Sequence, residues 1–155
     1  MPRVPYVAVV GPGDASPEEL HAAEDVGGAL AELGAVVVTG GLGGVMEAAC
    51  RGARSRRGRT VGILPGEDRE AANGWVEIAI ATGLGELRNG LVVRAADALV
   101  AVGGGHGTLS EVALALKLGR PVVGLGTWEV HGVEHVSTPV EAIDRISALL
   151  LQSRH

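Results

Sequence analysis

The residues with the clearest potential for chemistry lie in one glycine-rich segment, Gly103-Gly104-Gly105-His106-Gly107-Thr108-Leu109-Ser110-Glu111. The apolar run 97–102 before it predicts a buried strand, and the run 111–118 after it predicts a helix. The first N–H groups of a helix lack internal partners and carry the positive end of the helix dipole, and glycines let a ligand approach them closely. The segment therefore predicts an anion-binding turn.

Glu111 has two interpretations that the residues alone leave open. Thr108 stands where a helix N-cap is expected, and Glu111 follows three residues later, as in a capping box. In that interpretation Glu111 has only a structural role. In the other interpretation its carboxylate faces the anion site and takes part in chemistry there.

Two more glycine-rich turns follow predicted strands. Gly11 and Gly13 come after the first strand, and the pairs 40–41 and 43–44 come after the second. None of these turns has the Gly-x-Gly-x-x-Gly fingerprint or the Gly-x-x-x-x-Gly-Lys-Ser/Thr motif, so ordinary dinucleotide binding and P-loop ATPase activity lose support. The segment 40–44 fits either close approach of a phosphate or close packing of a helix on a strand.

Apolar runs that alternate with amphipathic segments set the expected fold. Strands are predicted at 4–10, 35–39, 60–64, 75–80, 97–102 and 122–125, and helices at 17–33, 45–53, 86–95, 111–118 and 139–152. This alternation predicts an α/β Rossmann-like fold with a doubly wound, mainly parallel sheet flanked by helices. In such sheets ligands bind beyond the carboxyl ends of the strands, where all the glycine turns should lie.

Length and composition limit the classes of protein to consider. The 155 residues fit one domain, 1–155, and 46% are hydrophobic although only 2% are aromatic. No apolar run is long enough to span a membrane, and the single cysteine, Cys50, fits a reducing compartment, so a cytoplasmic protein is expected. The net charge of −5 and the scarcity of aromatic residues argue against nucleic-acid binding. His106, His131 and His135 lack a metal-ligand pattern, so no metal site is predicted.

Three motifs in this order resemble the Lonely Guy (LOG)-like Rossmann superfamily: the segment 40–49 (GGLGGVMEAA), the pair Arg88-Asn89, and the segment 103–111. That superfamily includes cytokinin-activating nucleotide phosphoribohydrolases, DNA-processing protein A and molybdenum cofactor carrier proteins. LOG enzymes have Pro-Gly-Gly-x-Gly-Thr-x-x-Glu as the late motif, after an Arg-Lys pair. Here Gly103 stands in place of the proline and Asn89 in place of the lysine, which resembles the short branch nearer to the molybdenum cofactor carriers.

The resemblance implies a protein that binds a nucleotide or another phosphorylated ligand, such as a carrier of molybdenum cofactor. The alternative that it implies is a phosphoribohydrolase that cleaves the N-glycosidic bond of nucleoside 5′-monophosphates. In that enzyme Glu111 would stabilise a ribosyl cation or orient water, and Arg88 would pair with Glu111 or hold the ribose and phosphate. No cofactor is required in either case, and the expected bound molecule is a nucleotide, phosphate or molybdopterin-type ligand.

The residues expected at the site follow from the motifs and the resemblance. Arg88 and Glu111 are the predicted catalytic residues. The predicted phosphate or ligand contacts are Gly11, Gly13, Gly40, Gly41, Gly43, Gly44, Arg88, Asn89, Gly103, Gly104, Gly105, His106, Gly107 and Thr108.

The sequence argues against lysine decarboxylase activity. Many members of the superfamily are labelled lysine decarboxylases, but pyridoxal phosphate chemistry needs a lysine, and nothing marks a pocket around Lys117, the only one here. That activity is rejected.

The resemblance also implies a homo-oligomer, a dimer or tetramer, formed through helices that flank the site. The apolar helix segment 112–118 is a candidate surface.

Overall fold

The computed structural model describes residues 3–152. The predicted domain 1–155 also includes residues 1, 2 and 153–155, which lie outside the described residues. The elements are β1 Tyr6–Val10, α1 Pro17–Glu32, β2 Val36–Thr39, α2 Val45–Ser55, β3 Arg59–Leu64, β4 Ile78–Ala81, α3 Arg88–Ala95, β5 Ala98–Val102, α4 His106–Lys117, β6 Val122–Leu125, β7 Glu134–Val136 and α5 Pro139–Gln152. Short 3₁₀ turns occur at Arg69–Ala71 and Gly85–Leu87.

The strands form one sheet in the order β4-β3-β2-β1-β5-β6-β7. All six neighbouring pairs are parallel, so the predicted doubly wound parallel fold is confirmed. The strand order reverses between β1 and β5, since β2 lies on one side of β1 and β5 on the other. This switch point leaves a crevice between the loops that follow β1 and β5.

Two apolar layers cover the sheet. α1, α2 and α5 pack on one face, and α3 and α4 pack on the other. Both layers are built from Val, Leu, Ile and Ala side chains, as the scarcity of aromatic residues requires. No helix within residues 3–152 has the length and apolar character needed to cross a membrane.

α1 and α2 approach each other at backbone distance through glycines. A Cβ on Gly27 would lie 2.8 Å from the carbonyl carbon of Ala49, and a Cβ on Gly52 would lie 2.8 Å from that of Glu24. Any larger residue at either position would force the helices apart. The contact fixes α2, and therefore the glycine turn before it, relative to β1.

A capping box and a proline form the start of α1. Ser16 is the N-cap, its Oγ accepts from the N–H of Glu19 at 3.1 Å, and Glu19 Oε1 accepts from the N–H of Ser16 at 2.8 Å. Pro17 occupies the first helical position, where its missing N–H is not needed. Both partners of the capping box are therefore satisfied.

We expect Ser16→Ala to lower the free energy of unfolding by about 1 kcal/mol, because it removes the acceptor for an otherwise unpaired helix N–H. Urea denaturation would measure the loss. Ser16→Asp keeps an acceptor and is the matched control, expected to stay close to the original stability. An equal loss in both variants would contradict a role for the cap.

The two edges of the sheet differ from the prediction. The strand predicted at 75–80 is β4, Ile78–Ala81, because the hydroxyl of Thr60 bonds the carbonyl of Trp75 and the N–H of Glu77 and holds these residues off the ladder. The sequence predicts no helix or strand between the strand 122–125 and the helix 139–152, but this stretch contains β7, Glu134–Val136. β7 is a three-residue edge strand with polar residues, so it lacks the apolar run that marks a buried strand.

Candidate functional site

A cavity of about 300 Å³ opens at the carboxyl ends of the central strands, next to the switch point. Its wall includes nine of the predicted site residues: Gly11, Gly13, Gly40, Arg88, Asn89, Gly105, Gly107, Thr108 and Glu111. They come from the loops after β1, β2 and β5 and from the starts of α3 and α4. The fold therefore brings three separate sequence motifs together at one place.

The start of α4 differs from the prediction. Gly105 is the N-cap, with an extended backbone (φ −118°, ψ 175°) and no side-chain cap, and α4 begins at His106. Thr108 is therefore the third helical residue, and the predicted capping box of Thr108 and Glu111 is wrong. The physical reason is that glycine can serve as an N-cap without a side-chain hydrogen bond. The helix therefore begins directly after Gly105, three residues before the threonine-capped start that was predicted.

This earlier start leaves three unpaired donors in the turn. Leu109 N–H makes the first helical bond, to the carbonyl of Gly105 at 3.0 Å. Within residues 3–152, the N–H groups of His106, Gly107 and Thr108 have no hydrogen-bond partner. Because Gly107 and Thr108 line the cavity, the positive end of the α4 dipole faces the open space.

Glu111 lies one turn further along α4 and lines the same cavity. Its side chain is buried, with 8% exposure, and its carboxyl group makes no hydrogen bond or ion pair with any described residue. Burial raises its pKa to about 7, although the nearby Arg88 opposes this shift. The carboxyl group therefore changes its protonation state near neutral pH.

Arg88 is the first residue of α3, and its half-buried side chain reaches the loop after β2. A Cβ on Gly40 would lie 2.7 Å from Nη2 of Arg88, so this glycine makes room for the guanidinium group. Nη1 donates to the amide oxygen of Asn89, and Nε is buried without a partner among the described residues. Burial lowers the pKa of Arg88, and Glu111 partly opposes this.

Arg88 and Glu111 share the cavity without bonding each other. The described residues contain no ion pair between them, in contrast to the pairing that the hydrolase hypothesis considers. The cavity therefore presents an arginine with an unused donor beside a carboxyl group with no partner. A ligand that carries both an anionic group and a polar group would satisfy both side chains.

Three glycines of the turn after β2 lie off the cavity wall. Gly41 donates its N–H to Thr39 Oγ1 at 3.0 Å, and a Cβ there would lie 2.7 Å from Cδ2 of Leu64. Gly44 has φ +67° and lies against the backbone of Gly13, so the two glycine turns contact each other directly. Gly43 has open space around it. Gly41 and Gly44 therefore allow close packing against neighbouring parts of the chain, rather than the close approach of a phosphate.

The first residues of the late motif also lie off the wall. Gly103 has φ +71° and contacts the side chains of Glu19 and Pro12. Proline, whose ring holds φ near −65°, cannot adopt this conformation. A Cβ on Gly104 would lie 3.0 Å from Nε1 of Trp128.

Four residues of the cavity wall were not predicted from the sequence: Val9, Val10, Pro12 and Met46. The first three continue β1 into its glycine turn, and Met46 lies in the first turn of α2. Their position within two residues of a predicted glycine was the available signal. The described residues contain no cluster of three His, Cys, Asp or Glu side chains that could hold a metal ion.

Comparisons with known proteins show chains of similar sequence and fold. A molybdenum cofactor binding protein from the phototrophic bacterium Rippkaea orientalis superposes with a TM-score of 0.91 at 39% identity, over 96% of this chain and 98% of that chain. The molybdenum cofactor carrier protein of Chlamydomonas reinhardtii gives 0.89 at 37% identity, over 96% and 99%. A protein of Archaeoglobus fulgidus is 44% identical over 143 residues, 92% of this chain and 94% of that protein.

The match to a family covers nearly the whole chain. Residues 4–150 match the SLOG cluster4 family, from just before β1 to near the end of α5. The predicted resemblance to the branch near the molybdenum cofactor carriers is confirmed by this match and by the two structures. The chain belongs to the SLOG cluster4 family.

Proposed function

We propose that this chain binds a small phosphorylated ligand in the cavity and carries it, with molybdenum cofactor as the first candidate. The observation that carries the proposal is the group of three unpaired N–H donors at the start of α4, of which those of Gly107 and Thr108 belong to the wall of the cavity that Arg88 also lines. The names of the two structural relatives, a binding protein and a carrier protein for molybdenum cofactor, support this choice.

In this proposal the phosphate lies over the N–H groups of Gly107 and Thr108. The helix dipole favours its negative charge, and the guanidinium group of Arg88 donates to its oxygens. Gly105 and Gly107 have no Cβ to hold the ligand away from the backbone. Glu111 in its neutral form donates a hydrogen bond to the ligand, whereas its ionised form repels a phosphate.

The second candidate function is the phosphoribohydrolase, and one observation favours it. Glu111 is buried with a pKa of about 7, which suits a general acid or base at neutral pH. In that reaction Glu111 would act on the glycosidic bond or orient the attacking water, while Arg88 would hold the phosphate. Both functions use the same anion site, so they differ in turnover rather than in binding.

One experiment separates the two functions. The purified chain would be incubated with purine and pyrimidine nucleoside 5′-monophosphates and, separately, with isolated molybdenum cofactor, and both binding and release of free base would be followed. Binding of the cofactor without base release supports the carrier. Release of free base that is lost in Glu111→Ala supports the hydrolase. Absence of binding by every phosphorylated compound overturns both.

We also propose that the chain forms a homodimer through the outer side of α3. Leu84 and Leu87 lie just before α3 and Leu91 lies within it, and the three side chains are exposed by 39–77%. Ile78 and Ile80 of β4 extend the apolar area, because their register places them on the sheet face that α3 and α4 only partly cover. A group of exposed apolar side chains next to a ligand site is typical of a protein interface.

The charges beside Leu87 and Leu91 favour a second copy of the chain. Glu86 precedes Leu87 and Arg94 follows Leu91, and neither forms an ion pair within the described part of the chain. Two α3 helices that pack antiparallel about a twofold axis bring each Glu86 near Arg94 of the partner subunit.

A cytoplasmic location, which we also propose, fits the buried and unpaired Cys50.

We expect Leu87→Glu to convert the dimer to a monomer, because it places a charge at the most exposed leucine of the contact. Light scattering coupled to size-exclusion chromatography would measure the mass. Val140→Glu, at an exposed position on α5, is the control and should leave the mass unchanged. A monomeric original chain, or a Leu87→Glu variant that stays dimeric, would overturn this surface.

A further inference from the structure

An aromatic pair lies next to the cavity and has no part in the function proposed so far. Trp128 comes from the loop between β6 and β7, and His106 is the first residue of α4. Their ring centroids are 6.0 Å apart and their planes differ by 27°, so the rings are stacked. Both side chains are exposed, Trp128 by 37%.

Trp128 is held against the same turn that forms the anion site. Its Nε1–H donates to the carbonyl of Gly105 at 3.0 Å, and Gly105 lies on the cavity wall. Gly104 has no side chain where the indole ring approaches most closely. The indole ring is therefore fixed one residue away from the unpaired N–H groups of α4.

Trp128 does not serve as a core residue. The chain has only three aromatic residues, and both apolar layers are built without Trp128. Its polar N–H group is satisfied, whereas much of its apolar ring surface faces solvent. An indole ring that is fixed in position beside an anion site, and that stays exposed by 37% although His106 stacks on it, is suited to stack on a planar ligand.

We propose that Trp128, supported by His106, is the stacking surface for the planar heterocycle of the ligand, a pterin or a purine. This inference rests on the proposed function, since the phosphate of the same ligand must lie at the start of α4. The phosphate fixes one end of the molecule at the N–H groups, and the ring lies on the free face of the indole. Trp128 then distinguishes phosphorylated heterocycles from other phosphate esters.

The test uses the fluorescence of Trp128 with Trp75→Phe as the background, which leaves Trp128 as the only tryptophan. The probes are GMP, which carries a heterocycle, and ribose 5-phosphate, which does not. We expect saturable quenching by GMP and no change in emission with ribose 5-phosphate. Binding of both probes is measured in parallel by calorimetry.

Substitutions at position 128 separate stacking from a structural role of the loop. We expect Trp128→Leu to weaken GMP binding about tenfold and to leave ribose 5-phosphate binding unchanged, because stacking of one base contributes roughly 1–3 kcal/mol. Trp128→Phe keeps an aromatic face but loses the Nε1–H donor, and it should retain most of the GMP affinity. Thermal melts check that both variants are folded.

The outcomes distinguish this inference from the proposed function. If Trp128→Leu binds GMP as tightly as the original chain, or if GMP binds without quenching, the stacking surface is overturned while phosphate binding stands. If Trp128→Phe loses GMP binding as fully as Trp128→Leu, the indole acts through its bond to Gly105 and the inference also fails. If neither probe binds the original chain, the proposed function and the inference fall together.

Discussion

Replacing Arg88 with alanine should weaken the binding of a phosphorylated ligand by about 10- to 100-fold at pH 7. The expected loss follows from the removal of hydrogen bonds between a charged donor and a charged acceptor, which contribute about 1.5–3 kcal/mol. Arg88 is the one cation on the cavity wall formed by the described residues, so no neighbouring side chain replaces it. Isothermal titration calorimetry with GMP and ribose 5-phosphate would measure the change.

Arg69→Ala is the matched control for this substitution. It removes the same charge from an exposed position in the 3₁₀ turn before β4, away from the cavity wall. We expect it to leave both affinities unchanged. Arg88→Lys keeps the charge but not the planar donor group, and its affinity should lie between those of the original chain and Arg88→Ala. Equal binding by Arg88→Ala and the original chain would contradict the site.

Glu111→Gln should stabilise the folded chain at alkaline pH, by about 3 kcal/mol at pH 8.5. The pKa of Glu111 rises from 4.5 to about 7 on folding, and each unit corresponds to about 1.4 kcal/mol. Because the folded state binds this proton more tightly, the free energy of unfolding falls as the pH rises from about 4.5 to about 7 and then levels off. Glutamine is neutral throughout and escapes this loss.

Urea denaturation at a series of pH values would test this expectation. The difference between Glu111→Gln and the original chain should be small near pH 4.5 and should grow through neutral pH. Glu86→Gln, at an exposed position, is the control and should follow the original chain. Parallel curves for Glu111→Gln and the original chain would show that Glu111 is not a buried carboxyl group with a raised pKa.

Much of the fold could be predicted because its strands are buried on both faces. β1, β2, β3, β5 and β6 are short runs of Val, Ile, Leu and Ala, and glycine turns or capped helices end them. β7 could not be predicted, since Glu134–Val136 pairs only along the sheet edge and needs no apolar run. β4 began three residues later than expected, because side-chain bonds from Thr60 replaced the ladder.

The part of the candidate site that consists of backbone N–H donors could be predicted from the sequence. The turn 103–111 indicated a helix start with free donors, and those donors are present. The place of Arg88 came from the resemblance, since an arginine in a helix carries no signal by itself. Neither the contact of Gly40 with the guanidinium group nor the position of Trp128 could be predicted, because both depend on contacts between residues far apart in the chain.

Amide NMR tests directly whether a phosphate binds to the N–H groups at the start of α4. Titration of the ¹⁵N-labelled chain with ribose 5-phosphate, followed by amide NMR shifts, reports which N–H groups bind the phosphate. We expect the largest saturable downfield shifts at His106, Gly107 and Thr108, and we expect these shifts to be weakened in Arg88→Ala. Shifts confined to other residues, or no saturable shift at these three, would contradict this expectation.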